Sequence, residues 1–182
     1  MPAAVEILGS ARGSSWVWNQ PHAFEQDYAL TAGERVLATL LWPRALGSLA
    51  EGRIGDESWT FKRVGFWRPA VTIRTPASGE LDVGRFVMGW RRGDLLLQGE
   101  LRYRWDQVSF WKAEWAFFDA SGMNRLLEFV PERRLFRMSV GVHVHPAAEG
   151  SADLPVLVLL GWYLLVMASR DDAAAASTVV VG

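Results

Sequence analysis

Between Asp153 and Arg170 the chain runs through fifteen residues, Leu154–Ala168, without one charge. As a helix at 1.5 Å per residue this stretch spans about 22 Å, whereas a bilayer core of about 30 Å asks for about twenty apolar residues. It is short by roughly two turns for a span, and Arg170, Asp171 and Asp172 follow it closely. Asp153 and Pro155 suit a helix start, the acid meeting the positive end of the dipole. Leu154, Val156–Leu160, Leu164 and Leu165 cover every azimuth, so the helix has no polar face and must be buried on all sides. One open sheet covers one flank, whereas a closed sheet covers all of them. A tail anchor, a helix between two sheets and a helix at a dimer interface are the other ways to hide it.

The rest of the chain decides which enclosure is at hand. Period-two alternation, the mark of half-buried strands, recurs along it. Trp111, Ala113, Trp115 and Phe117 share one face of Phe110–Phe118 while Lys112 and Glu114 share the other, so core packing is the reading for Trp105, Trp111 and Trp115. In Phe136–His145, Phe136, Met138, Val140, Val142 and Val144 alternate with Arg137, Ser139, His143 and His145. Leu101–Trp105 alternates as cleanly. Further strands are expected at 27–30, 35–42, 50–54, 57–64, 70–74, 80–88, 94–98 and 124–130, separated by turn segments rich in Gly, Pro and Asx residues, such as "TPASGE", "RRGD" and "DASG". About eleven or twelve short strands in meander order, then one apolar helix, predict a mainly β fold. Its form is a closed antiparallel barrel of about twelve strands enclosing the C-terminal helix. Residues 1–25 read as an irregular N-terminal segment and 26–172 as a single barrel domain with its central helix at 154–169. Residues 173–182 read as a tail without assigned order.

A strand-rich chain ending in such a helix resembles the tubby C-terminal-like superfamily, which includes the LURP-one-related proteins and the phospholipid scramblases. The resemblance covers roughly residues 25–175. It rests on the C-terminal helix and on "AEWAFFDASGMNRLLEFV" (Ala113–Val130), similar to the family's strand, Asp-x-x-Gly turn, strand unit, which "YALTAGERVLATLLW" (Tyr28–Trp42) repeats near the start. It implies a twelve-stranded barrel around a hydrophobic helix, and lipid or membrane recognition. Seventeen Arg against two Lys, with much Ala and Gly, fits a GC-rich genome and a bacterial member. The family's cysteine cluster has no counterpart here, because the chain has no Cys. Its acidic calcium segment is not matched by "HPAAEGSAD".

Composition narrows the chemistry. A formal net charge of −1 argues against a nucleic-acid partner. The absence of Cys removes disulfides and thiolate sites and fits a reducing compartment. "MPAAVEILGSARGSS" does not read as a secretory signal, so the expected location is cytoplasmic, peripheral to membranes. No phosphate loop, dinucleotide fingerprint, Gly-x-Ser-x-Gly elbow or His-Glu-x-x-His is present. The expectation is a non-enzymatic module without cofactor or metal. His143 and His145 point to one strand face and, with His22 or Glu149, offer imidazoles to a metal; a solvent-facing strand end before Pro146 is the plainer reading. Asp94 with Glu100, or Glu80 with Asp82, stand where turns expose charge anyway.

Two loops carry the candidate contact residues. Phe66, Trp67 and Arg68 lie between two strands, where an aromatic pair beside Arg suits a membrane interface or partner pocket and, alternatively, a plug folded over the barrel end. Arg91 and Arg92 in "GWRRGD" form a second turn, where two guanidinium groups can grip a phosphate or simply solvate a hairpin. The leading function is binding of lipid head groups or a membrane surface through these five residues. A carrier or enzyme with a small hydrophobic ligand in the barrel, and a protein-interaction scaffold, are the competing readings.

Overall fold

A computed structural model describes residues 3–20, 27–44, 47–89, 91–132 and 139–179. A short helix, α1 (Ala4–Gly9), precedes twelve strands: β1 (Trp16–Asn19), β2 (Asp27–Ala32), β3 (Arg35–Leu41), β4 (Leu49–Ile54), β5 (Glu57–Val64), β6 (Ala70–Arg74), β7 (Gly84–Met88), β8 (Arg92–Leu97), β9 (Glu100–Ser109), β10 (Glu114–Asp119), β11 (Arg125–Glu132) and β12 (Ser139–Val144). The long helix α2 (Leu154–Val179) follows. Each strand pairs antiparallel with its sequence neighbours, and β1 closes the ring on β12 through Trp16↔Val142 and Trp18↔Val140. The expected closed barrel around an apolar helix is the observed fold.

Closure explains how α2 is hidden. Leu157–Leu160, Trp162 and Tyr163 are fully buried in the lumen, which is lined by inward residues such as Trp18, Leu40, Phe61, Ile73, Leu95, Phe117 and Phe129. Trp18 stacks on Trp162 with centroids 5.5 Å apart, Trp42 stacks on Tyr163 at 5.7 Å, and Tyr28 meets Trp42 and Trp162 edge-on. Such aromatic pairs each add about 0.5–1.5 kcal/mol beyond burial. By length and composition Leu154–Ser177 would suffice to cross a membrane; here its apolar part is the barrel's core.

Several boundaries differ from the sequence reading; the strand expected at 80–88 begins only at Gly84, residues 79–83 being part of the β6–β7 connection. The segment 1–25 is not irregular throughout, since it contributes α1, whose Ala4 and Leu8 are buried, and the closing strand β1. Helix α2 does not stop at residue 169. Acids at a C-terminus oppose the dipole, and the Ala173–Ala176 run propagates the helix to Val179. The alternating strand drawn from Phe110 begins only at Glu114. Ala113 adopts φ +52°, and Phe110–Ala113 form the turn between β9 and β10. Residues 136–138, expected to open the last strand, lie outside the described residues.

Strand direction gives the barrel two distinct ends. Helix α2 enters at the end that carries α1 and the β2–β3, β4–β5, β6–β7, β8–β9 and β10–β11 connections; it leaves at the end that carries the β3–β4, β5–β6, β7–β8 and β9–β10 connections. At the entry end the Tyr103 hydroxyl donates to Asp153 at 2.7 Å. In the same region the Asp119 carboxylate accepts from Ser121 Oγ, Asn124 Nδ2 and the Met123 amide, which holds it down at about 2 and folds the "DASG" turn. At the exit end the Tyr163 hydroxyl donates to the Ser48 carbonyl at 2.6 Å, Arg170 lies over the Trp42 ring at 4.6 Å, and Arg63 pairs with Asp171.

Burial, the leading cause, pushes the Tyr163 hydroxyl up to about 12 from 10.0. A group whose folded pKa is raised contributes stability that is present below its unfolded value and lost as pH rises through the folded one. Tyr163→Phe removes the bond to Ser48 and should cost about 1–2 kcal/mol at neutral pH. That deficit should shrink as pH climbs from 10 past 12, where the wild-type phenol ionises. Urea denaturation of both proteins at pH 7 and pH 11 checks the direction.

Candidate functional site

The exit end brings together most of the residues the sequence singled out. Phe66 and Trp67 sit at the β5–β6 tip with 88 % and 90 % of their surface exposed, their rings edge-on at 5.4 Å. They are not a plug. The pair is exposed because the lumen below is already filled by Trp42, Phe61 and Tyr163. Arg68 beside them is exposed as well.

Arg91 is the exposed tip residue between β7 and β8, and its guanidinium stands 5.0 Å above the Phe110 ring, inside cation–π range. Arg92 is not a turn residue. It begins β8 opposite Asp106, and because its neighbour Gly93 faces inward it lies on the outer wall beside Asp94, Arg104 and Asp106.

Sequence reasoning missed the third tip. Phe110 is 60 % and Trp111 is 93 % exposed, again edge-on to each other at 5.6 Å. Trp105 and Trp115, in contrast, do pack together as expected, stacked at 5.4 Å. The alternation ran on through the turn by coincidence. A strand at Leu101–Trp105 followed at once by another at Phe110 leaves little room for a reversal, and that is the signal that points to the turn.

The three tips are neighbours in space. The Met88 amide donates to the Pro69 carbonyl (3.1 Å), which ties the β5–β6 tip to β7, and the Gln107 amide donates to Arg91 (3.2 Å), which ties β9 to the middle tip. Two aromatic pairs therefore flank Arg91 along one rim, with Arg68 and Lys112 beside them. Lys112 also reaches Glu114 at 3.7 Å.

Charge divides between the two ends. Among the described residues, the exit-end connections carry Arg44, Arg68, Arg91 and Lys112 and no carboxylate. The entry-end connections from β2 onward carry Glu34, Asp56, Glu80, Asp82, Glu149 and Asp153 and neither Lys nor Arg. Asp171 and Asp172 of α2 also lie at the exit end, the former neutralised by Arg63. The exit-end connections are therefore basic and aromatic and the entry-end connections from β2 onward acidic; Arg74 pairs with Asp82 and Arg12 faces Glu149 at the entry end, while Asp27 and Glu114 open their strands at the exit end.

No family model, curated protein or solved structure matches the chain.

The remaining sequence candidates are scattered. His143 is exposed, His145 stands 3.5 Å from Glu128, and His22 lies outside the described residues. No group of three metal-ligating side chains occurs among the described residues. Asp82 is paired with Arg74 at 2.7 Å, and Glu100 with Arg102 at 3.5 Å.

Proposed function

We propose that the protein is a non-enzymatic binding module of tubby-like architecture that docks its exit-end rim on a membrane surface, cytoplasmic and peripheral. The observation that carries the reading is the pair of solvent-exposed aromatic tips, Phe66–Trp67 and Phe110–Trp111, set around Arg91. Exposed large aromatics in such numbers mark an interaction site rather than chance. Trp and Phe rings next to Arg suit the head-group layer, where an apolar body and a polar neighbour are both satisfied. The one-sided charge supports the same orientation, because an anionic surface attracts the basic rim and repels the acidic end. The closed twelve-strand barrel around a hydrophobic helix supports the family resemblance. The carrier reading is disfavoured on space: α2 fills the lumen with Leu157–Leu160, Trp162 and Tyr163.

Sedimentation with phosphatidylcholine vesicles containing phosphatidylserine tests the proposal. The wild type should pellet with them. Trp67→Ala/Trp111→Ala should lose binding at least tenfold with an unchanged melting temperature, since neither side chain packs in the core. Near a membrane each Arg contributes about 1 kcal/mol, so Arg68→Ala/Arg91→Ala should weaken binding about 30-fold. Arg92→Ala, on the wall, should do less. Wild-type protein that stays in the supernatant would overturn the reading.

A further inference from the structure

At the entry end, α1, the loop after it and the Glu149–Gly150 segment before α2 border a cleft of about 290 Å3 over the β1–β12 seam. Leu8, Trp16, Val142 and Leu154 line it and are buried, forming an apolar floor, while Ser14, Ser15 and the exposed His143 also line it. The mouth is charged with both signs. Arg12, from the loop after α1, and Glu149, from the segment before α2, face each other with Nη1 and Oε2 3.8 Å apart. Arg12 Nη2 lies against Gly150, where a Cβ would stand 3.5 Å away.

That separation is too long for a hydrogen bond, and both side chains are about half exposed, so they hold each other weakly. Each retains its hydrogen-bonding capacity for a third group. A monocarboxylate placed at the mouth would meet Arg12 but also the like charge of Glu149. An amine would meet Glu149 but also Arg12. Only a ligand bearing both charges close together satisfies both residues, with guanidinium on carboxylate and carboxylate on ammonium. Its remaining surface then faces Leu8, Trp16, Val142 and Leu154, which favours an apolar substituent. The volume lies at the low end of ligand cavities, about 300–1,000 Å3, so the ligand is small.

We propose that this cleft binds a small zwitterion with an apolar side chain, the class to which the apolar α-amino acids belong. The site is independent of the membrane rim at the other end.

Isothermal titration with L-leucine, L-methionine and L-phenylalanine tests it. At least one should bind saturably with a dissociation constant of about 1 mM or tighter. 4-Methylpentanoate, which is leucine without its ammonium group, and 3-methylbutylamine, which is leucine without its carboxylate, should each bind at least tenfold more weakly. Glycine, which lacks the apolar part, should do the same. Arg12→Gln and Glu149→Gln should each weaken leucine binding at least tenfold, with melting temperature and vesicle binding unchanged. No saturable binding by any of the three, binding of either truncated analogue as tight as that of leucine, or wild-type affinity in both variants would overturn the proposal.

Discussion

A chain ending at Ala152 should not fold. Helix α2 contributes eleven buried apolar side chains to the lumen, from Leu154 to Met167. Full burial of such a side chain is worth about 1.5–3 kcal/mol, so removing the helix forfeits roughly 15–30 kcal/mol of gross stabilisation. A domain's net stability is only about 5–15 kcal/mol. The deletion also exposes the partners of those side chains, including the ring faces of Trp18 and Trp42 that now stack on Trp162 and Tyr163. Circular dichroism and gel filtration should find the 1–152 fragment aggregated or without a cooperative melt. Leu160→Asp makes the same point with one residue, because Leu160 is fully buried and a carboxylate there would have no compensating partner. Leu160→Met, which keeps volume and polarity, should cost less than about 1.5 kcal/mol. A folded, monomeric 1–152 fragment that melts cooperatively would mean that α2 is an appendage, as a tail anchor would be.

How far these features were legible follows from how each residue signals its surroundings. The central helix was the clearest, because no residue from Leu154 to Ala168 offers a polar face and only enclosure accommodates that. The strands from Asp27 onward showed themselves through alternation and turn residues. β1 did not, since four residues of "WVWN" between Gly–Ser and Gln–Pro are too few to display a period, although Trp16 and Trp18 both face inward. It is β1 that closes the ring, pairing antiparallel with both β2 and β12. Trp111 failed for the opposite reason, as its alternation with Lys112 was real in sequence while the backbone turned at Ala113. The exposure of Phe66 and Trp67 was not decidable from composition, because an aromatic tip plugs a barrel or leaves it according to whether the lumen has room. The Arg12–Glu149 mouth joins segments far apart in the chain, and nothing local announces it.

Gly161→Ala should destabilise the protein, even though it improves the helix. Alanine is favoured over glycine in a helix interior by about 1 kcal/mol, so for an exposed helix the expected sign is a gain. At this position a Cβ would stand 2.2 Å from Cζ of Phe129 and 2.5 Å from Cε2. Phe129 is fully buried, with Trp105 edge-on at 5.4 Å and Phe117 at 6.4 Å, so its ring has no free space to enter. Either the ring leaves its rotamer or α2 shifts away from β11, and the shift would disturb the Trp18–Trp162 stack one residue along. Overpacking of this kind costs about 1–3 kcal/mol, and this contact is closer than a single methylene misfit, which sets the expectation at the upper end. Against the propensity gain the net loss should be about 2 kcal/mol, a fall in melting temperature of several degrees. Phe129→Leu should relieve the clash, so that Gly161→Ala in that background costs less than in the wild type, a coupling that a double-mutant cycle reads directly. Additive effects, or a stabilised Gly161→Ala protein, would mean that helix and wall are not in the close contact that makes glycine necessary here.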